Sequence, residues 1–239
     1  MNHLYSISVK ISACLKVYFK QNSLREIGVD EAGRGPLWGP LTAAAVILPN
    51  EDMWTPSHRE LTTKIKDSKK ISPKKRIILA KEIKEFALGF GIGQVTPQEI
   101  DMWGATVANQ TAFRRAIYEL YKTYTVDKEG IRILIDGILP LPSLDEGEQQ
   151  ETIINGDATY LSIAAASILA KVGHDTWVID WCKENVAEAT KYDLVNCKGY
   201  GTAKHRNGIL KYGYTELHRR LYLRKLIPDI EVSRYGFID

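Results

Sequence analysis

The chain has 239 residues, 44% hydrophobic and 26% charged, with a formal net charge of +3, a balance that excludes a disordered or fibrous chain and leaves one large domain or two small ones. Its three cysteines, Cys14, Cys182 and Cys197, are odd in number and form no Cys-x-x-Cys, which excludes a disulfide framework and a structural zinc knuckle and fits a reducing, cytoplasmic compartment. No apolar run approaches the roughly 20 residues of a membrane span.

The first 24 residues alternate weakly (Leu4, Ile7, Val9, Ile11) but are broken by Lys10, Lys16 and Lys20, and are expected to form a leader that is an added strand or a loose arm. Ile27 and Val29 then alternate with Glu26 and Gly28, the period of a half-buried strand. That strand ends at Asp30-Glu31-Ala32-Gly33-Arg34-Gly35-Pro36. Leu41 to Leu48, stopped by Pro49, predicts a second strand returning as a hairpin. Ser72-Pro73 reads as the cap and first residue of a helix whose apolar face is Ile77, Ile78, Ala80, Ile83 and Phe86 and which ends near Gly89. Phe90, Ile92 and Val95, spaced by Gly91 and Gly93, predict a third strand. Thr96-Pro97-Gln98-Glu99 opens another helix, continuing to about Tyr121 with Phe113, Ile117 and Leu120 inward.

Ile131 to Gly137 repeats the design of the first strand: apolar residues, then an acid, then glycine. If the two strands are parallel neighbours, Asp30 and Asp136 meet at the carboxyl end of the sheet, where open α/β sheets hold their ligands, and the intervening helices supply the crossover. Thr152-Ile153-Ile154 predicts a brief fifth strand, and Asp157 precedes a small-residue helix from about Ser162 to Val172. Asp157 either caps that helix or turns toward Asp30 and Asp136.

Adjacent strand residues point to opposite faces, so Asp30 and Glu31 reach one spot only through a twist or a backbone carbonyl. Crowded carboxylates with no Cys or His partners suit a hard divalent cation, magnesium or manganese, rather than zinc. Gly33 and Gly35 let the backbone approach a ligand closely, and the Arg34 guanidinium suits phosphate. Positive charge is concentrated in two windows. Lys64–Arg76 holds seven Lys or Arg against Asp67, and Lys191–Lys225 holds nine against Asp193 and Glu216; basic windows beside an acidic body suit a metalloenzyme that binds a polyanion. Tyr200, between Gly199 and Gly201, either is free to stack on a sugar or base or is buried in a tight turn. His205 and His218 lie among these cations as phosphate neighbours, and His174 is expected to be structural.

Six segments together resemble the type 2 ribonucleases H, the ribonuclease HII family: Gly28 to Leu37, Asp67-Ser68-Lys69-Lys70, Ile135-Asp136-Gly137, Gly156-Asp157, Ala164 to Val172, and Lys198-Gly199-Tyr200-Gly201-Thr202. The resemblance implies an α/β ribonuclease H-like fold, a mixed five-stranded sheet flanked by helices, with a helical C-terminal region. It divides the chain into the leader (1–24), a catalytic domain (25–190) and a basic helical region (191–239). It implies that Asp30, Glu31, Asp136 and Asp157 are catalytic acids binding two magnesium or manganese ions. Gly33, Arg34 and Gly35 would sense the ribose 2′-hydroxyl, Tyr200 would stack on the following sugar, and Lys69 and Lys198 would contact substrate. The substrates implied are RNA–DNA hybrids and duplex DNA with single embedded ribonucleotides, cut on the 5′ side to leave 3′-hydroxyl and 5′-phosphate ends. The protein is expected to be a monomer with no membrane attachment and no obligate protein partner. Two departures stand out: Gly173-His174-Asp175, where the family usually has arginine before the aspartate, and Trp38, large and close to the sensing loop. Rival readings are the sister type ribonuclease HIII, a hybrid-binding module without catalysis, and a resolvase-type DNA nuclease.

Overall fold

In the computed structural model, which describes residues 15–22, 24–125 and 130–232, a five-stranded sheet has the order β3-β2-β1-β4-β5. Its strands are β1 (Arg25–Ala32), β2 (Leu41–Ile47), β3 (Gly89–Val95), β4 (Ile131–Asp136) and β5 (Gln149–Ile153). β1, β2 and β3 form an antiparallel meander, and β4 and β5 add parallel to β1. The hairpin and the parallel pairing of the two acid-tipped strands follow the sequence expectation. The helices are α1 (Pro56–Lys64), α2 (Pro73–Phe86), α3 (Pro97–Thr123), α4 (Leu161–Glu184), α5 (Val186–Lys191), α6 (Leu194–Cys197), α7 (Ala203–Tyr212) and α8 (Arg220–Leu223). Leader residues 1–14 lie outside the described residues; Lys16 bridges to Tyr160.

β1 is a central strand covered on both faces rather than half-buried. Its odd residues Ile27 and Val29 join the core under α3 with Phe113, Ile117 and Leu120, while Gly28 lies against the backbone of Ser162 in α4. The second core layer packs α2 and α4 on the opposite face through Ala44, Val46, Ala80, Ile83, Ala165 and Leu169. The alanines of α4 bring its axis close to the sheet, as the small-residue run suggested.

Three expectations need correction. Ile77 and Ile78 are exposed, and Arg76 takes the buried position on α2 instead. Its guanidinium donates to the carbonyls of Ser68 (3.0 Å) and Ile71 (2.8 Å) and lies 3.5 Å from Asp175, so an arginine with a full set of partners outcompetes two isoleucines for the interior. In β3 the residues facing α3 are not Phe90 and Ile92 but Gly89, Gly91 and Gly93, alternating with them in burial. A Cβ on Gly91 would stand 2.0 Å from the carbonyl oxygen of Ala116, so the glycines are the surface on which α3 lies. The fifth strand begins earlier than expected, at Gln149.

A third apolar cluster holds the C-terminal helices: Tyr192, Leu194, Ile209 and Leu223 close around Trp38, Val178 and Cys182. Trp38 is fully buried there, its ring edge-on to Trp181 at 4.7 Å and tilted against Trp177 at 5.6 Å. Its side chain therefore anchors the C-terminal region rather than crowding the loop before it. Trp38→Phe is expected to lose about 1–2 kcal/mol of stability, measured as a lower urea midpoint, with the ratio of cleavage rates between substrates unchanged. A changed ratio at unchanged stability would assign Trp38 to substrate choice.

Candidate active site

β1 and β4 run in register from Arg25–Ile131 to Val29–Ile135, and one step beyond the last pair stand Asp30 and Asp136. Strand alternation then decides where each acid points. Asp30 shares the α4 face with Gly28, is 5% exposed, and lies within hydrogen-bonding reach of the Ser167 hydroxyl while accepting from the Glu31 N–H at 2.7 Å. Glu31 points to the opposite face, where the side-chain amide of Asn109 on α3 donates to it and Arg34 approaches to 3.8 Å.

Asp157 arrives from a different direction. It sits in a 3-10 turn, Gly156–Ala158, between β5 and α4. The turn is pinned to β4 because the Gly156 N–H donates to Asp136 Oδ1 at 2.6 Å. A Cβ at Gly156 would stand 2.6 Å from Ile163 Cδ1 and 3.1 Å from Asp136 Oδ1. Asp136 is thus the hub. Burial, then the charges of Glu31 and Asp136, push the Asp30 carboxyl well above the usual carboxylate range. Burial raises Glu31 too, with Arg34 opposing and Asp136 adding to the rise. Asp157 is raised by burial, Asp136 and Asp67, against Lys69. Asp67 and Lys69 belong to a second 3-10 turn, Ser68–Lys70, docked on α4 by a 3.0 Å bond from Ser167 to Ser68, which brings the charge of Lys69 to bear on Asp157.

Among the described residues, no three Asp, Glu, His or Cys side chains close tightly enough to enclose an ion. Of the acids, Asp136 Oδ1 accepts from the Gly156 N–H and Asp30 Oδ1 from the Glu31 N–H. Their chemistry nevertheless fits a divalent cation: every donor is a hard oxygen, three carboxyls are shifted in the direction that marks missing positive charge, and Asn109 Oδ1 is buried beside Glu31 with no partner,.

Gly33 turns at a φ of 78°, and its Cα faces the buried ring of His174, which would stand 2.3 Å from a Cβ there. His174 Nδ1 is 3.1 Å from Asp175, which also binds Lys171 at 2.8 Å. Arg34 and Gly35 are exposed. The Tyr200 ring stands beside Gly35, half over Lys171 at 5.5 Å, and remains 39% exposed. The ring is therefore not buried, although the turn that carries it is tight. A Cβ on Gly199 would lie 2.3 Å from the Trp38 carbonyl oxygen, so the loop hugs the Leu37–Trp38 backbone while the ring faces out. Lys198 turns its ammonium back to the carbonyl of Val195 at the end of α6.

His205 and His218 are corrected. Both are buried, with Nε2 atoms 3.1 Å apart, and neither reaches the surface where a phosphate would bind. The Thr215 N–H donates to His218 Nδ1 at 2.9 Å, which leaves the proton of a neutral ring on Nε2. His218 then donates to His205, whose Nδ1 in turn donates to the Tyr200 carbonyl at 3.0 Å. Burial, with the neighbouring His205, pushes His218 down to about 3, so the pair is neutral. Nor does Arg219 belong to a solvated basic face. It is fully buried and binds backbone of the glycine loop. Nothing in the local sequence marks Arg219, one of several cations in its window, or Asn109, one polar residue on a helix.

Three comparisons bear on this geometry. The family model Ribonuclease HII matches residues 27–225. A Ribonuclease HII of Prochlorococcus marinus is 43% identical over 199 residues, covering 83% of this chain and 96% of that protein. In solved structures, ribonuclease H2 of Pyrococcus horikoshii superposes with a TM-score of 0.64 at 22% identity, covering 87% of this chain and 99% of that one. Bst ribonuclease HIII in complex with Mn2+ superposes at 0.56, with 22% identity over 80% of this chain and 63% of that one; both show the same fold.

Proposed function

Because the chain belongs to the ribonuclease HII family of endoribonucleases, we propose that it hydrolyses the phosphodiester on the 5′ side of ribonucleotides, both in RNA–DNA hybrids and at single ribonucleotides embedded in duplex DNA. The ends produced are 3′-hydroxyl and 5′-phosphate. The observation that carries this reading is the meeting of Asp30 and Asp136 at the tips of paired parallel strands, with Asp157 tied to the same carboxylate through Gly156.

In this reading Asp30, Glu31, Asp136 and Asp157 hold magnesium or manganese. Two such ions, when bound, would activate water and stabilise the departing oxygen. The protein's own contribution is placement. Asp136 is fixed by the Gly156 N–H and sits where it can serve both neighbours. Asp30 and Glu31 reach around opposite faces of β1. Lys69 moderates the charge at Asp157. The Gly33–Gly35 loop presents backbone amides to a ribose 2′-hydroxyl, the group that distinguishes RNA from DNA. Tyr200 stacks on the next sugar from across the cleft, and Arg34 binds phosphate. Residues 25–190 form the catalytic body. The exposed lysines and arginines of the C-terminal region supply sequence-independent attraction to the duplex. Among the described residues no helix is long and apolar enough to cross a membrane.

The test is a labelled DNA duplex with one embedded ribonucleotide, incubated with Mg2+, with Mn2+ and with chelator, beside an all-DNA control. A metal-dependent cut on the 5′ side of the ribonucleotide is expected. Cutting of the all-DNA control would move the assignment to a DNA nuclease, and cutting only of a long hybrid would move it to the sister type.

A further inference from the structure

We infer that Arg219 is the positioning residue for the substrate-sensing loop, holding the Gly33–Gly35 peptides so that their N–H groups face the cleft; the inference rests on the function proposed above.

Arg219 has no exposed surface, and its planar fork is spent on main chain. Nε donates to the Gly39 carbonyl at 2.9 Å, one terminal nitrogen to the Arg34 carbonyl at 3.0 Å, and the other to the Gly33 carbonyl at 2.7 Å. Its own N–H donates to the Leu37 carbonyl at 2.8 Å. One residue therefore ties four points of the segment between β1 and β2. A buried guanidinium is costly to desolvate unless its donors are satisfied, and here burial draws its pKa down to about 10.

The geometry of the peptide unit turns this into a statement about substrate. In a planar trans peptide the N–H points opposite to the C=O. Pulling the oxygens of Gly33 and Arg34 inward onto the guanidinium therefore directs the N–H groups of Arg34 and Gly35 outward. Among the described residues neither N–H donates to a backbone carbonyl, so both are free for a ligand. Gly33 holds a φ of 78° and Gly39 one of 84°, conformations in which the loop needs external bonds to select one arrangement. The ring of Tyr222 lies 5.4 Å from the guanidinium and closes its far side. A lysine could make one of these bonds as a point donor but not the fork.

The test is binding selectivity in Ca2+, to hold cleavage off: dissociation constants for a duplex with one ribonucleotide and for the same all-DNA duplex, in wild type, Arg219→Lys and Arg219→Gln. Phosphate contacts are common to both duplexes, so a merely weakened fold lowers both affinities together. The wild type is expected to prefer the ribonucleotide by about tenfold, the worth of one or two directed hydrogen bonds. In Arg219→Lys the preference is expected to fall within about twofold of unity, the ribonucleotide duplex losing about tenfold more affinity than any loss shared with the all-DNA duplex. A preference retained in the folded variants overturns the inference. If the wild type itself shows no preference, the proposed function fails. The loop is then read by amide chemical shifts, where unchanged Arg34 and Gly35 signals in Arg219→Lys overturn the positioning role by themselves. Should both Arg219 variants unfold, Tyr222→Leu keeps the three carbonyl bonds possible and removes the ring together with its hydroxyl's contact to the guanidinium. A several-fold loss of preference is expected there, and an unchanged one counts against the inference.

Discussion

Asp136→Asn is expected to lower cleavage of the single-ribonucleotide duplex by at least about a thousandfold and, at neutral pH without metal, to make the protein more stable than the wild type. Both halves come from the same position. Asn keeps an oxygen that accepts from the Gly156 N–H, now 2.6 Å from Asp136 Oδ1, so the turn carrying Asp157 stays in place. What disappears is the charge that adds to the rise at Asp30, Glu31 and Asp157. Carboxyls raised in the folded state bind more protons there than in the unfolded chain. Stability therefore falls as pH rises from the ordinary carboxylate range, near about 4, through the raised values. Removing the Asp136 charge moves those values back down and shrinks the loss, by on the order of 1 kcal/mol at pH 7. Thermal melts from pH 4 to 8 check this: the variant's advantage should vanish toward pH 4 and grow above it. Added Mg2+ should then raise the melting temperature of the wild type more than that of the variant. Equal metal responses, or an active variant, would remove Asp136 from the site.

The elements that carry the acids were legible because two simple periodicities governed them. The alternation in β1 and β4 gave the strands, and the acid-glycine ending repeated in both said that they were partners. The separation of Asp30 and Glu31 onto opposite faces follows from the same alternation. Misreadings arose where a polar side chain carried its own partners into the interior. Arg76 and Arg219 were counted in the polyanion-binding basic windows, and His205 and His218 as phosphate neighbours, because composition records charge and not the carbonyls waiting for it. Arg219 is bonded to Gly33, 186 positions away, a relation that no local pattern contains. Trp38 was misplaced for the complementary reason: its neighbours Trp177 and Trp181 are one helical turn apart on α4, and only the fold brings them to it. The glycines of β3 were taken as spacers between apolar residues, whereas Gly91 and Gly93 lie directly against the backbone of α3.

Gly28 carries the same lesson at the catalytic strand, and Gly28→Ala is expected to be strongly disruptive for a single added methyl. A Cβ there would lie 2.2 Å from the Ser162 carbonyl carbon, 2.4 Å from the Ile163 nitrogen and 2.5 Å from the Ser162 oxygen. All three are backbone atoms of the first turn of α4, so no side chain can rotate away, and relief requires moving the helix from the sheet by about an ångström. Close-packed interiors resist such shifts, and a loss of about 3 kcal/mol or more is expected as a lower urea midpoint. The displacement does not stay local. The turn holding Asp157 runs directly into α4, and Ser167, one and a half turns further along, faces Asp30. A displacement of about 1 Å at a reacting group can cost on the order of a hundredfold in rate, so activity should fall even at temperatures where the variant remains folded. Gly130→Ala provides the control: none of the described residues lies within 4 Å of a Cβ there, and both stability and cleavage should stay at wild-type levels. If Gly28→Ala matched that control, α4 would not be seated on β1 as described, and the convergence of Asp30, Asp136 and Asp157 would lose its structural basis.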